Sequence, residues 1–309
     1  MARVLSRTGL KICVEDVSGT YKKPEQVLKI TSNITPKVTM DEVEIPNFGF
    51  FGGAKDVVTI ADWGQMEIEA TTCLYKDIAF YDNLFAICNL KKDTDKNGNF
   101  IYTPDTHSEK TGSVDLILPD RKFKGKGAKS SLKLEGKVGD KVEMTFGIKA
   151  AYDGEVVEPQ NITDIKAGEA LLIRRLGSMT INGTDINLSE FSFDMGNVIN
   201  YEKFTNIGEF HMSDYEPKLT LKMRLEAGAE SGFNEFANGT TMSFVAIFKD
   251  SAGKDILKLE IPRAKVSKAP EFNDLDGIYV IDREFLALSD KGDDNFKITY
   301  YKQLSLIHI

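Results

Sequence analysis

The chain has 309 residues, 41% of them apolar and 28% charged, which is enough to bury a core without disulfide or metal staples. Lys and Arg number 39 against 47 Asp and Glu, and the net charge of −8 argues against a general nucleic-acid-coating role, which needs a cationic surface to displace counterions. Cys13, Cys73 and Cys88 form no C-x-x-C pair and read as reduced thiols of a cytosolically made protein. With no apolar leader and no run near ~18 apolar residues, neither Sec export nor a membrane span is expected.

Residues 10–17 (LKICVEDV) alternate apolar and polar and predict a first strand, because successive strand side chains point to opposite faces. A loop at 18–24 follows. Residues 26–45 hold two alternating segments, LKITSNITPKV and MDEVEI, broken near Pro36, which cannot donate to a ladder. A Gly- and Phe-rich loop at 46–54 leads through Trp63 to a strand at 65–75 (QMEIEATTCLY). At 79–90 (AFYDNLFAICNL) the period changes: Phe80, Leu84, Ile87 and Cys88 recur at helical spacing and predict the clearest helix of the chain. A polar loop at 91–111 precedes a strand at 113–118.

The segment 124–154 predicts a long hairpin. Leu132 and Leu134 alternate with Lys133 and Glu135, a Gly-rich turn spans 136–140, and Val142, Met144, Phe146 and Ile148 alternate with Lys141, Glu143, Thr145 and Lys149. One face is apolar and the other polar. After a connecting segment at 162–168, strands are predicted at 170–176, 178–188 and 190–195, then a long polar loop at 196–216 and a strand at 218–226. A short helix at 231–237, a strand at 242–249, two strands around 270–277 and a polar strand at 295–302 complete the series. The order of elements repeats: 65–75 matches 218–227, the helix near Phe80 matches that near Phe233, and 113–118 matches 243–248. The expectation is a mainly β chain of two tandem sandwich or barrel domains, 1–160 and 161–303, each with a short flanking helix; the alternative is one elongated β-sandwich. Residues 304–309 (LSLIHI) resemble the translation of a sequencing-library adaptor and are expected to be a non-native tail.

Few motifs carry chemistry. Asp93, Asp95 and Asn97 before Gly98 space oxygen ligands as a Ca²⁺ loop does, but Pro104 stands where the bidentate Glu belongs, so a solvated turn is the better reading. His107, His211 and His308 have no neighbouring ligand at metal spacing. The sequence has no nucleophile elbow, P-loop or dinucleotide fingerprint, so neither catalysis nor a cofactor is expected. Phe48, Phe50 and Phe51 crowd a glycine-rich loop that must bury itself or meet a neighbouring subunit.

The series Gly127-Ala-x-x-x-Leu-x-Leu-x-Gly-x-x-Gly-x-x-Val-x-Met-x-Phe-x-Ile148, closing in Tyr152-Asp-Gly154, resembles the late hairpin of phage tail tube proteins. The opening, LKICVEDVSGTYKKPEQVLKITSNITPKVTMDEVEI, is similar to that family's first strand, Gly-Thr-x-x-x-Pro loop and two long strands, and FGFFGGAKDV stands where the family has its inter-ring loop. The second half departs from the pattern, with a shorter helix and no Gly-Ala start to its closing hairpin. The resemblance implies tandem tail-tube-like domains in a structural virion protein whose subunits close into rings that stack as a hollow tube for DNA. Two domains per chain then imply three chains in a pseudo-hexameric ring. It implies partners in further copies of itself and in tape-measure, tail terminator and baseplate proteins, with DNA in transit and no membrane. The protein would be made in the bacterial host cytoplasm and reside in the virion tail. Glu135, Asp140 and Glu143 are the lumen candidates, and Phe48, Phe50 and Phe51 the inter-subunit candidates. The competing expectation is a monomeric two-domain binding or adhesin module, using the same phenylalanines and the Asp93 to Asn97 loop.

Overall fold

The computed structural model describes residues 8–28, 30–31, 34–45, 56–76, 81–158, 170–171, 178–205, 207–225 and 231–302. The first half contains β1 (Gly9–Val14), β2 (Gln26–Leu28), β3 (Lys37–Ile45), β4 (Asp56–Cys73), α1 (Asp82–Ile87), β5 (Leu90–Thr94), β6 (Phe100–Pro104), β7 (Gly112–Leu118), β8 (Arg121–Lys137) and β9 (Val142–Val157). The second contains β10 (Ser178–Ile181), β11 (Thr184–Asp185), β12 (Leu188–Asp194), β13 (Asn197–Phe204), β14 (Ile207–Tyr215), β15 (Lys218–Arg224), α2 (Phe233–Asn238), β16 (Thr241–Lys249), β17 (Asp255–Val266), β18 (Glu271–Leu275), β19 (Ile278–Ala287) and β20 (Lys297–Tyr300). The chain is mainly β, as its alternating patterns predict.

The β8–β9 hairpin follows its pattern: Leu132, Leu134, Val142, Met144, Phe146 and Ile148 are buried, and the intervening residues are not. Several expectations are corrected. The polar loops expected at 91–111 and 196–216 contain the hairpins β5–β6 and β13–β14. In the first, Lys92 reaches across to the Phe100 ring, 4.0 Å from its centroid, so a cation–π contact replaces the apolar alternation that would have marked a strand. The strand expected at 178–188 is cut by a tight turn at Asn182 and Gly183, both at positive φ (50° and 75°), a geometry Asn and Gly tolerate best. Helix α1 ends at Ile87 and not at the expected Leu90, because Asn89 turns left-handed (φ 58°) and Leu90 joins the sheet opposite Pro104. The two strands expected around 270–277 are three, β17, β18 and β19, since the chain breaks its ladder at Ser267 to Pro270 and resumes it. Phe48, Phe50, Phe51, Phe80, the 162–168 segment and residues 304–309 lie outside the described residues, as do 172–177 of the strand expected at 170–176.

One pairing order occurs twice. Across hydrogen-bonded neighbours the first half reads β1, β7, β8, β9, β4, β3. The second reads β10, β16, β17, β19, β15, β12, the same order of chain positions, with α2 placed between β15 and β16 as α1 is between β4 and β7. Among the described residues two further strand pairings join the halves, β12 along the distal end of β8 (Glu190↔Lys137 to Asp194↔Lys133) and β6 beside β20 (Tyr102↔Ile298), and an isolated bridge links Tyr75 to Ala170. The core is continuous across this joint, and aromatic contacts bridge its two layers, Phe191 to Phe248 at 5.5 Å and Phe193 to Phe296 at 4.9 Å. Each such buried ring contributes on the order of 1.5–3 kcal/mol by leaving water.

Candidate assembly edges and polar face

The β12–β8 joint produces one sheet that runs through both halves in the order β18, β19, β15, β12, β8, β9, β4, β3. Its two faces follow from the period-2 alternation of every strand in it. One face carries Leu134, Phe193, Met144, Leu219 and Phe285 into the core. The other presents polar side chains in cross-strand rows, of which Glu143, Glu135, Ser192 and Thr220 form one.

Two of the three lumen candidates lie in the middle of that polar face. Glu135 and Glu143 are directly opposite each other on β8 and β9, a like-charge pair that would repel alone. Each has a lysine two residues before it: Lys133 Nζ is 2.6 Å from Glu135, and Lys141 Nζ, just ahead of β9, is 2.8 Å from Glu143. The Glu143 carboxylate holds the Lys141 ammonium pKa above its ordinary value, chiefly through their hydrogen bond. The third candidate, Asp140, sits in the β8–β9 turn and accepts the backbone N–H of Lys141 at 2.7 Å. Glu190 of β12 pairs with Lys137 across the joint at 3.3 Å. The open groove around them is lined by the carboxylates of Glu135, Asp140, Glu143, Glu190 and Asp282 and the ammonium groups of Lys137, Lys141 and Lys222. The surface is therefore mildly acidic and laced with ion pairs.

The calcium candidates are placed differently. Asp93 lies on β5 and pairs with Lys91 at 3.0 Å, while Asp95 spends its carboxylate on the β5–β6 turn, accepting the backbone N–H of Asn97 and Asn99 and the side chain of Asn99, each at 2.8 Å. These bonds hold the Asp95 carboxyl below its usual range, led by the Asn99 backbone N–H. Among the described residues no group of three His, Cys, Asp or Glu side chains is arranged to hold a metal ion.

Sequence reasoning missed the two ends of the long sheet. At one end, the β18–β19 hairpin and α2 expose Phe233, Phe236, Phe272, Ile278 and Tyr279, with Phe233 stacked on Phe272 at 5.9 Å. At the other, β3 and the start of β4 form an arm that exposes Met40, Val43, Ile45 and Val58. The apolar residues of β18 and β19 were legible individually, but their grouping depends on α2 folding back over them. No family model matches the chain, and no curated protein matches it.

Proposed function

We propose that this is a structural protein of a phage tail, whose chains close side by side into rings that stack into a hollow tube. The observation that carries this reading is the long sheet: a four-strand order occurs twice in it, already joined edge to edge once within the chain, and both outer strands are exposed. An unpaired, partly apolar sheet edge is a hazard in a monomer and an assembly device in a polymer. Head-to-tail contacts of this kind close into a ring when the rotation per joint divides a full turn. With two repeats per chain, three chains make a pseudo-sixfold ring.

In that ring the polar face of the sheet lines the lumen, and Glu135, Glu143 and Glu190, each held by a lysine, present DNA phosphates with a weakly repelling wall. Tape-measure, terminator and baseplate proteins would meet the ends of such a tube. The second reading is a monomeric binding module, and the exposed Phe233, Phe236, Phe272 and Tyr279 favour it as a stacking platform for a sugar or peptide. Size exclusion followed by negative-stain microscopy of the purified protein separates the two: rings or tubes are expected, and lone particles at every concentration would select the binding module.

A further inference from the structure

The joint within the chain has three parts. The distal outer edge of β8 receives β12. Directly after β12, Asn197 Nδ2 donates to the carbonyl oxygens of Cys88, at the end of α1, and Ser130, at 3.2 and 2.9 Å. The β13–β14 arm that follows lies over β8 and β9, burying Ile199 and Phe210, and Lys149 of β9 donates to the Ile199 carbonyl.

The repeat places a counterpart of each part at the outer ends of the sheet. β18 and β19 stand where the distal β8 and β9 stand, α2 where α1 stands, and β3 with its arm where β12 and β13–β14 stand. Among the described residues no strand pairs with the outer edge of β18 or β3. The two-residue turn at Asp276 and Gly277, both at positive φ, closes the pair Leu275↔Ile278, and from there bonding to β19 alternates, so the backbone groups of Phe272 and Asp274 face outward. The environments also differ in the way a missing partner requires. Helix α1 buries Leu84, Phe85 and Ile87, whereas α2 buries none of its residues and leaves Phe233 and Phe236 43% and 39% exposed. The β13–β14 arm buries Ile199 and Phe210, although Val198, Phe204 and Ile207 stay exposed, whereas β3 buries none of its residues and leaves Val43 and Ile45 48% and 46% exposed.

We infer that the joint between chains copies the joint within the chain: β3 of a second copy adds to the outer edge of β18, and the arm of that copy lies across Phe272 and α2. The inference rests on the ring reading and names its contact. It also makes the two joints unequal. The second half has no hairpin between α2, which ends at Asn238, and β16, which begins at Thr241, so the joint between chains lacks the β6–β20 pairing that reinforces the one within. The chain-to-chain joint is the one that opens first.

The test blocks one side at a time in the full chain. Asp274→Pro removes an outward N–H of β18 while leaving the ladder to β19, and Phe272→Glu puts a charge under the incoming arm without altering the backbone. Val43→Asp with Ile45→Asp spoils the arm. By native mass spectrometry and negative-stain imaging, wild type should assemble and each variant alone should remain a single chain with a cooperative melt. An equimolar mixture of a β18 variant with the arm variant should give dimers and nothing larger, because only one intact edge of each kind is present. Wild-type-like rings from the arm variant or from Phe272→Glu, or rings in the mixture, would overturn this joint while leaving the ring reading standing. A wild type that never assembles would overturn the ring reading and the joint with it.

Discussion

Lys76 Nζ lies 2.6 Å from Asp250 Oδ2, an ion pair between residues 174 positions apart that ties the first half to the β16–β17 turn of the second. The Asp250 side chain is 1% exposed, and its Oδ1 accepts the backbone N–H groups of Ala252 and Lys254 at 3.0 and 2.9 Å. Asp250→Asn keeps the shape and removes the charge, so a loss of ~1.5–3 kcal/mol is expected in denaturant unfolding, the range for hydrogen bonds to a charged group. A loss under ~0.5 kcal/mol would show the pair to be incidental.

The same residue sets a pH dependence. The Lys76 bond, followed by the turn N–H groups, holds the Asp250 carboxyl below its ordinary value in the folded protein. Its contribution is therefore full above the unfolded value near ~3.9 and is lost as pH falls through the lower folded one. Thermal melts of wild type should weaken in acid, and Asp250→Asn should flatten that part of the profile. An unchanged acid limb would assign it to other carboxylates.

Phe146 has no exposed surface and its ring lies 6.4 Å from Phe85, itself 4.9 Å from Tyr102. Phe146→Ala should cost ~3–5 kcal/mol through lost burial and an unfilled cavity. Denaturant unfolding reads this directly, and a cost under ~1 kcal/mol would place the ring outside the working core.

Most of the β8–β9 hairpin was legible because one face is buried and the other wet, and that asymmetry writes a period of two into the sequence. The β5–β6 hairpin was not, because Lys91, Lys92 and Asp93 are all exposed and Lys92 holds the strand through the rings of Phe100 and Tyr102; nor was β13–β14, which buries only Ile199 and Phe210 among exposed and half-exposed residues. The joint was invisible for another reason. Glu190 meets Lys137 only after some fifty intervening residues have folded, and a single sequence carries no register between strands that no turn connects. Alternation placed the candidate glutamates on the polar face and the resemblance made that face a lumen candidate, whereas the lysines that moderate them became visible only with the geometry.

Gly232 precedes α2 at φ +92°, and a Cβ there would lie 2.3 Å from the Arg283 guanidinium. Arg283 is 6% exposed and pairs with Glu235 of α2 at 3.4 Å. Gly232→Ala should push the guanidinium off its partner and strain the backbone, with an expected loss of ~1–3 kcal/mol and looser docking of α2. Hydrogen exchange across 233–238 would report it. Unchanged protection and stability would mean that the arginine shifts at no cost.

Glu135→Lys with Glu143→Lys reverses the centre of the polar face and leaves lysines opposite one another beside Lys133 and Lys141. Because the Glu135 and Glu143 side chains are partly open to water, at 38% and 32% exposure, stability should move by about 1 kcal/mol or less. Assembly should persist, while DNA passage slows, since the added cations hold the phosphates and make release dependent on salt. Ejection from mutant particles at wild-type speed at every ionic strength would remove these residues from the lumen.

The central claim is tested most directly by the number of chains in one ring. Native mass spectrometry of assembled material, matched to the rotational symmetry of imaged rings, should give three chains and a hollow pseudo-sixfold ring. Six chains around the ring would contradict the tandem placement of the two repeats, and a protein that stays a single chain at every concentration would contradict the tube itself.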